Sequence, residues 1–179
     1  MRGLSSNISQ EVMDTLISLA KNVLGEKAEK LILNKLARKG ENNISGRDIV
    51  FVFTDEIQNI YGLKGGQAIV RQLGRELAKV LMEKYPKEQW EEILDKGLNE
   101  FIYADKVEIN KDEACICNCA FYEDVLKPKN LKPTEHCVCW LSWGFIEGFV
   151  KNLEEGVRGV QWVDRDYENK KCKFAYVRE

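Results

Sequence analysis

Residues 114–121 read A-C-I-C-N-C-A-F, and residues 136–149 read H-C-V-C-W-L-S-W-G-F-I-E-G-F. Together they hold five of the six cysteines and the single histidine, and nothing before residue 114 is a cysteine or a histidine. The first segment comes just after the hydrophobic period changes. From residue 103 the chain alternates every second residue, with Tyr103, Asp105, Val107 and Ile109 on one face until the turn-like N-K-D-E at 110–113, so a strand and then a cysteine-bearing strand are expected. A polar loop at 127–133, bounded by prolines, leads to an apolar helix over 139–153, and a hairpin closes the chain, its arms at 157–167 and 171–177 joined by E-N-K-K.

Upstream the spacing is helical throughout. Residues 8–39 read as two helices, the first presenting Val12, Leu16, Leu19, Ala20 and Val23, the second Ala28, Leu31, Ile32, Lys35 and Leu36, with Gly25 and Gly40 marking their ends. A helix over 47–61 carries Ile49, Val50, Phe53, Ile57 and Ile60. G-L-K-G-G at 62–66 lacks the Walker spacing and has no preceding strand, so it reads as a helix–helix turn and not as a phosphate loop. Helices follow over 67–85, stopped by Pro86, and over 87–102, built on Trp90, Ile93, Leu94, Leu98 and Phe101. Helices first and strands after, without regular alternation, give an α+β fold: an antiparallel sheet of about four strands, with a helix crossing between the two hairpins. A single domain over 1–179 is expected, its helical part about 8–102 and its sheet and cysteine-rich part about 103–179.

Composition narrows the function classes. The chain is 44% hydrophobic and 31% charged with a formal net charge of −2, so it lacks the basic excess that phosphate backbones require, and nucleic acid is not an expected partner. No apolar run is long enough to span a bilayer, and residues 1–10 lack the layout of a signal peptide, so no membrane association and a cytoplasmic location are expected. In a reducing compartment six cysteines point to metal binding or free thiols before disulfides.

On an extended strand Cys115, Cys117 and Cys119 would all point to one side, neighbours about 6.5–7 Å apart along the axis, so one or two of them are realistic ligands for one metal. Cys137 and Cys139 stand at a helix entrance beside His136, where the helix N-terminus favours the thiolate. Cys172 shares the apolar face of the final strand with Phe174 and Tyr176 and should point inward. Thiolates from two strands and a helix start would supply three ligands of a tetrahedral zinc site. The fourth would be His136, Cys117, Cys137 or a carboxylate such as Asp164. An iron–sulfur cluster ranks second, because the spacing fits no ferredoxin pattern. Trp140, Trp143, Gly144, Phe145, Gly148, Phe149 and Trp162 are candidates to line an apolar ligand cavity, Gly144 and Gly148 leaving room for close approach of backbone or ligand.

The run C-V-C-W-L-S-W-G-F-I-E-G-F resembles the vinyl-4-reductase-like small-molecule-binding domain, also the sensor of phenol-responsive bacterial activators. The likeness is strongest at 139–149, where that family shows a cysteine, usually Trp, then Gly-aromatic-x-x-Gly. It extends through the terminal hairpin to Cys172 and Phe174. The resemblance implies a zinc site near the pocket, with Cys139 and Cys172 at motif positions. The family usually adds a Glu and a Cys on the first arm of the final hairpin, where this chain has residues 161–165 without them. Cys117, Cys119, Cys137 and His136 are the candidates to replace them.

The resulting expectation is a zinc-containing, non-catalytic domain that binds or senses a hydrophobic or aromatic small molecule. It would act as a homodimer or through a protein signalling partner, since no output module is visible. Two alternatives stand beside it: a reductase acting on a vinyl-bearing tetrapyrrole, and an interaction module resembling vesicle-tethering subunits.

Overall fold

A computed structural model describes residues 4–38, 46–102 and 104–178. Helices α1 (Leu4–Arg38), α2 (Gly46–Lys84) and α3 (Trp90–Ile102) precede strands β1 (Lys106–Ile109) and β2 (Glu113–Cys117). Helix α4 (Cys137–Leu153) and the hairpin of β3 (Val157–Asp166) and β4 (Lys171–Arg178) follow. The four strands are antiparallel in the order β1-β2-β4-β3, so the two hairpins join along β2 and β4, with α4 crossing between them. The α+β architecture matches the one expected from the sequence.

The N-terminal helices are more continuous than expected. α1 and α2 each run on through a kink at one residue, Gly25 (φ 77°) and Gly62 (φ 78°), where a left-handed backbone is cheap only for glycine. The expected G-L-K-G-G turn is thus a single-residue kink, with Lys64 to Gly66 already wound into helix. Gly40, Tyr103 and the side chains of Ala28, Leu31, Ile32, Lys35 and Leu36 lie outside the described residues. Residues 87–102 divide into a short 3-10 turn, Lys87–Gln89, and α3. No helix among the described residues is long and apolar enough to cross a membrane.

α4 is the centre of the molecule. Twelve of its 17 residues are buried. It therefore has almost no solvent face, which is why its sequence is apolar nearly all round. It meets α2 at backbone distance: a Cβ on Gly144 would fall on the carbonyl of Arg71, 2.8 Å from the carbon and closer still to the oxygen, and one on Gly148 would lie 2.6 Å from Ala78 Cβ. The room expected beside these glycines is taken by α2. Phe145 and Phe149 pack edge to face at 5.0 Å, and Phe145 packs on Phe101 at 5.3 Å, all three fully buried.

A buried carboxylate ties three elements together. Glu147 of α4 accepts from Arg71 Nη2 (2.6 Å) and Arg75 Nη1 (2.9 Å) of α2 and from the Val160 N–H (3.0 Å) of β3. Trp143 Nε1 donates to the Val160 carbonyl at 2.7 Å, fixing α4 against the same strand. Burial alone would raise the Glu147 pKa, but the hydrogen bonds from Arg71 and Val160 N–H, the Arg71 charge and the Arg75 hydrogen bond outweigh it, so the carboxyl titrates below its ordinary range.

Candidate functional site

The row of three thiols expected on β2 is divided. Ile116 pairs with Val107 and Cys172, facing the core, so Cys115 and Cys117, paired with Glu108, Lys173 and Lys106, occupy the opposite face of the sheet. Alternation would carry Cys119 to that outer face as well. Asn118 prevents this: its φ is 55°, the left-handed region that asparagine tolerates, and β2 ends before it. Cys119 consequently turns inward and joins the core with Ile116 and Cys172.

The second C-x-C pair is split for a different reason. Two positions on a helix differ by about 200°, so Cys137 and Cys139 leave α4 on opposite sides. Cys137 lies against α2, where a Cβ on Gly66 would be 2.8 Å from its Sγ, and its N–H donates to Gln58 Oε1 at 3.2 Å. His136 is the N-cap of α4. Its Nδ1 accepts the Val138 N–H (3.1 Å), so the ring proton is on Nε2, which faces Asp55 Oδ1 at 3.2 Å, and the ring stacks on Phe51 with centroids 4.9 Å apart. Both ring nitrogens and one ring face are committed to holding the helix start. Neither His136 nor Cys137 lines the cavity described below.

β3 contributes a residue that alternation hides. Trp162 pairs with Phe174 and Asp164 with Lys173, so one residue, the exposed Val163, is extra in the ladder. This bulge reverses the faces beyond it. Asp164 is exposed, far from the ligand role considered for it, and its Oδ1 accepts the Arg165 N–H at 2.7 Å. Arg165, opposite Cys172, turns into the protein and is 2% exposed. Its Nη1 donates to Cys172 Sγ (3.3 Å), and its Nη2 to the Cys119 carbonyl (2.9 Å) and to both Glu123 oxygens (2.9 and 3.0 Å). Burial acts against this charge, but the contacts with Cys172, Glu123 and Cys119 outweigh it and hold the guanidinium protonated.

Cys119, Cys139, Cys172, Ser142, Trp162 and Arg165 meet around one small cavity of about 30 Å³. Ile102, Ile116 and Phe174 form its apolar floor. Its roof is irregular: Tyr122 and Leu126 from the π-helical turn Tyr122–Leu126, then Pro133 and Thr134, the latter at φ 69°. Cys139 is only partly buried as a residue, yet its thiol is inside, and burial pushes its pKa up to about 12. Burial, with Cys172 adding to it, pushes Cys119 up to about 11. Three side-chain atoms of the lining, Ser142 Oγ, Trp162 Nε1 and Arg165 Nε, are buried without a hydrogen-bond partner in the protein.

Cys139 and Cys172, the cysteines at the motif positions, do converge with Cys119, but a cation already stands among them. The guanidinium of Arg165 donates to one sulfur and to the backbone of a second cysteine, and among the described residues no three His, Cys, Asp or Glu side chains form a group able to hold a metal ion. As arranged, this set does not fit zinc. Of the seven candidate pocket residues only Trp162 lines the cavity. Trp140 stacks on Trp143 at 4.4 Å and donates from Nε1 to the Thr134 carbonyl (2.7 Å), tying the roof to α4. Ser142 and Arg165 went unseen in the sequence. No family model, no curated protein and no solved structure matches the chain.

Proposed function

We propose that the protein is a non-catalytic domain that binds a hydrophobic or aromatic small molecule between its sheet and α4. The observation supporting this is the meeting of β2, α4, β3 and β4 around one cavity, apolar below and covered by irregular turns above. Small-molecule sites have about 300–1,000 Å³, so the present 30 Å³ takes a ligand only when the roof at residues 121–134 lifts. Thiols held up near 11 and 12 are poor nucleophiles, which weighs against covalent catalysis there.

Zinc enters this reading through the convergence of Cys119, Cys139 and Cys172, and it would bind only with Arg165 withdrawn from Cys172. Elemental analysis of protein purified without chelator decides the matter: zinc near one per chain supports the metal, and none removes it while leaving the binding domain intact. The binding reading itself is tested by native mass spectrometry of untreated protein and by thermal shift with a panel of phenols, monoaromatics and cyclic ketones. A panel without one saturable stabilisation, together with no co-purifying ligand, rejects it.

A further inference from the structure

The cavity lacks one kind of partner. Ser142 Oγ, Trp162 Nε1 and Arg165 Nε belong to side chains lining the same small space, and each is buried with no acceptor in the protein. Ser142 is 1% exposed and Arg165 2%, so bulk solvent does not serve them. Native proteins rarely leave buried polar groups unpaired, and each that remains calls for an explanation. The indole and the guanidinium nitrogen donate only, and the serine hydroxyl is free to donate. What this set lacks is an acceptor entering the space they line.

The charge balance decides what kind. Arg165 already faces the Glu123 carboxylate, 2.9 and 3.0 Å from Nη2, and the Sγ of Cys172 accepts from Nη1. A second carboxylate in this buried space would be one negative charge too many, close to Glu123 and with no cation besides Arg165 in the lining to meet it. A carbonyl oxygen carries two lone pairs and no charge. Space of 30 Å³ is about that of two water-sized atoms, enough for such an oxygen but not for the body it is attached to. The body would lie along Phe121, Tyr122 and Leu126 once the roof lifts.

Resting on the small-molecule reading above, we propose that this cavity recognises a neutral carbonyl oxygen on an apolar ligand, such as a ketone, aldehyde or quinone, through Ser142, Trp162 and Arg165. The chain has four tryptophans, so the Trp162 indole N–H gives one of four side-chain signals in a 1H–15N spectrum, assigned with Trp162→Phe. The probes are cyclohexanone, benzoate and toluene. Cyclohexanone should move the Trp162 indole signal downfield and saturate. Ser142→Ala and Trp162→Phe should each weaken cyclohexanone about fivefold to tenfold, the size of one hydrogen bond, and leave toluene unchanged. Near-UV circular dichroism checks that both variants keep the native core.

Toluene binding as tightly as cyclohexanone, with no loss in the two variants, overturns the carbonyl assignment while the binding domain stands. Benzoate binding tighter than cyclohexanone overturns it in favour of an anion. An indole signal that cyclohexanone does not move, with a cross-peak to a long-lived water, overturns it because water then serves the donors. Failure of all three probes, and of the wider panel above, removes the small-molecule reading as well.

Discussion

Replacing Gly144 with alanine tests the feature that places α4, its backbone contact with α2. Alanine's Cβ at this position would sit 2.8 Å from the carbonyl carbon of Arg71 and nearer to its oxygen. Backbone cannot rotate away as a side-chain tip can, so one helix must move relative to the other. Overpacking of a tight core costs about 1–3 kcal/mol, and an obstacle made of backbone belongs at the upper end. Against this, alanine gains about 1 kcal/mol over glycine in helix propensity. The net is a loss of roughly 2 kcal/mol, or about 4–8 °C in Tm for a chain of this size. Gly65→Ala supplies the control, because Gly65 is also helical and its Cβ would meet only Tyr61 Cβ at 3.4 Å, an ordinary contact. That change should stabilise the protein by up to about 1 kcal/mol. Urea denaturation followed by circular dichroism measures both. If Gly144→Ala proves as stable as Gly65→Ala, α2 and α4 are not packed at backbone distance and the reasoning fails.

Glu147→Gln leaves Arg71 and Arg75 facing a neutral amide and should cost about 2 kcal/mol at pH 7, a modest figure because both arginines are partly exposed. Since the folded carboxyl titrates below its ordinary value of 4.5, its contribution is fully present above that pH and disappears as pH falls through the depressed value. Denaturation from pH 7 to pH 3 should therefore show the wild type and Glu147→Gln converging in acid, and parallel curves would refute the assignment. His136→Ala removes the N-cap acceptor of α4 and should lose about 1–2 kcal/mol, with His136→Asn recovering part of it; equal stability of the two variants in urea would contradict the capping role. All six cysteines are free and five are buried, so Ellman's reagent at pH 8 should find less than one reactive thiol per chain within minutes, and six in guanidinium. Rapid modification of Cys139, located by peptide mapping, would show that its thiol is not enclosed.

The fold was legible because its signals were strong and local. The change from helical to two-residue spacing near residue 103 and the continuous apolar run of α4 each report a large buried surface. The inward direction of Cys172 was also readable, from its alternation with Phe174, whereas the thiolate expected of Cys139 at a helix start was not, because burial pushes that thiol up. Alternation failed where one residue broke the count. Asn118 in the left-handed region took Cys119 off the face of Cys115 and Cys117, and the bulge at Val163 carried Arg165 inside and left Asp164 outside. The C-x-C spacing was itself ambiguous, since on a strand it keeps two thiols together and on a helix it parts them. Ser142 carried no signal at all: a serine in an apolar helix looks like filler until its neighbours are known.

The bulge in β3 makes the chemistry of the cavity depend on a number of residues as much as on their kinds. With Val163 deleted, the ladder between Trp162 and the turn would become regular, and the side chain of Arg165 would swing to the solvent side while that of Asp164 swung in. The same three cysteines would then surround a carboxylate where a guanidinium had been, a set suited to a divalent cation. A zinc titration of the Val163-deleted chain would show it, and failure to bind would mean that strand register does not govern this cavity. A single codon lost from β3 would be enough to exchange a built-in positive charge for a place to put one.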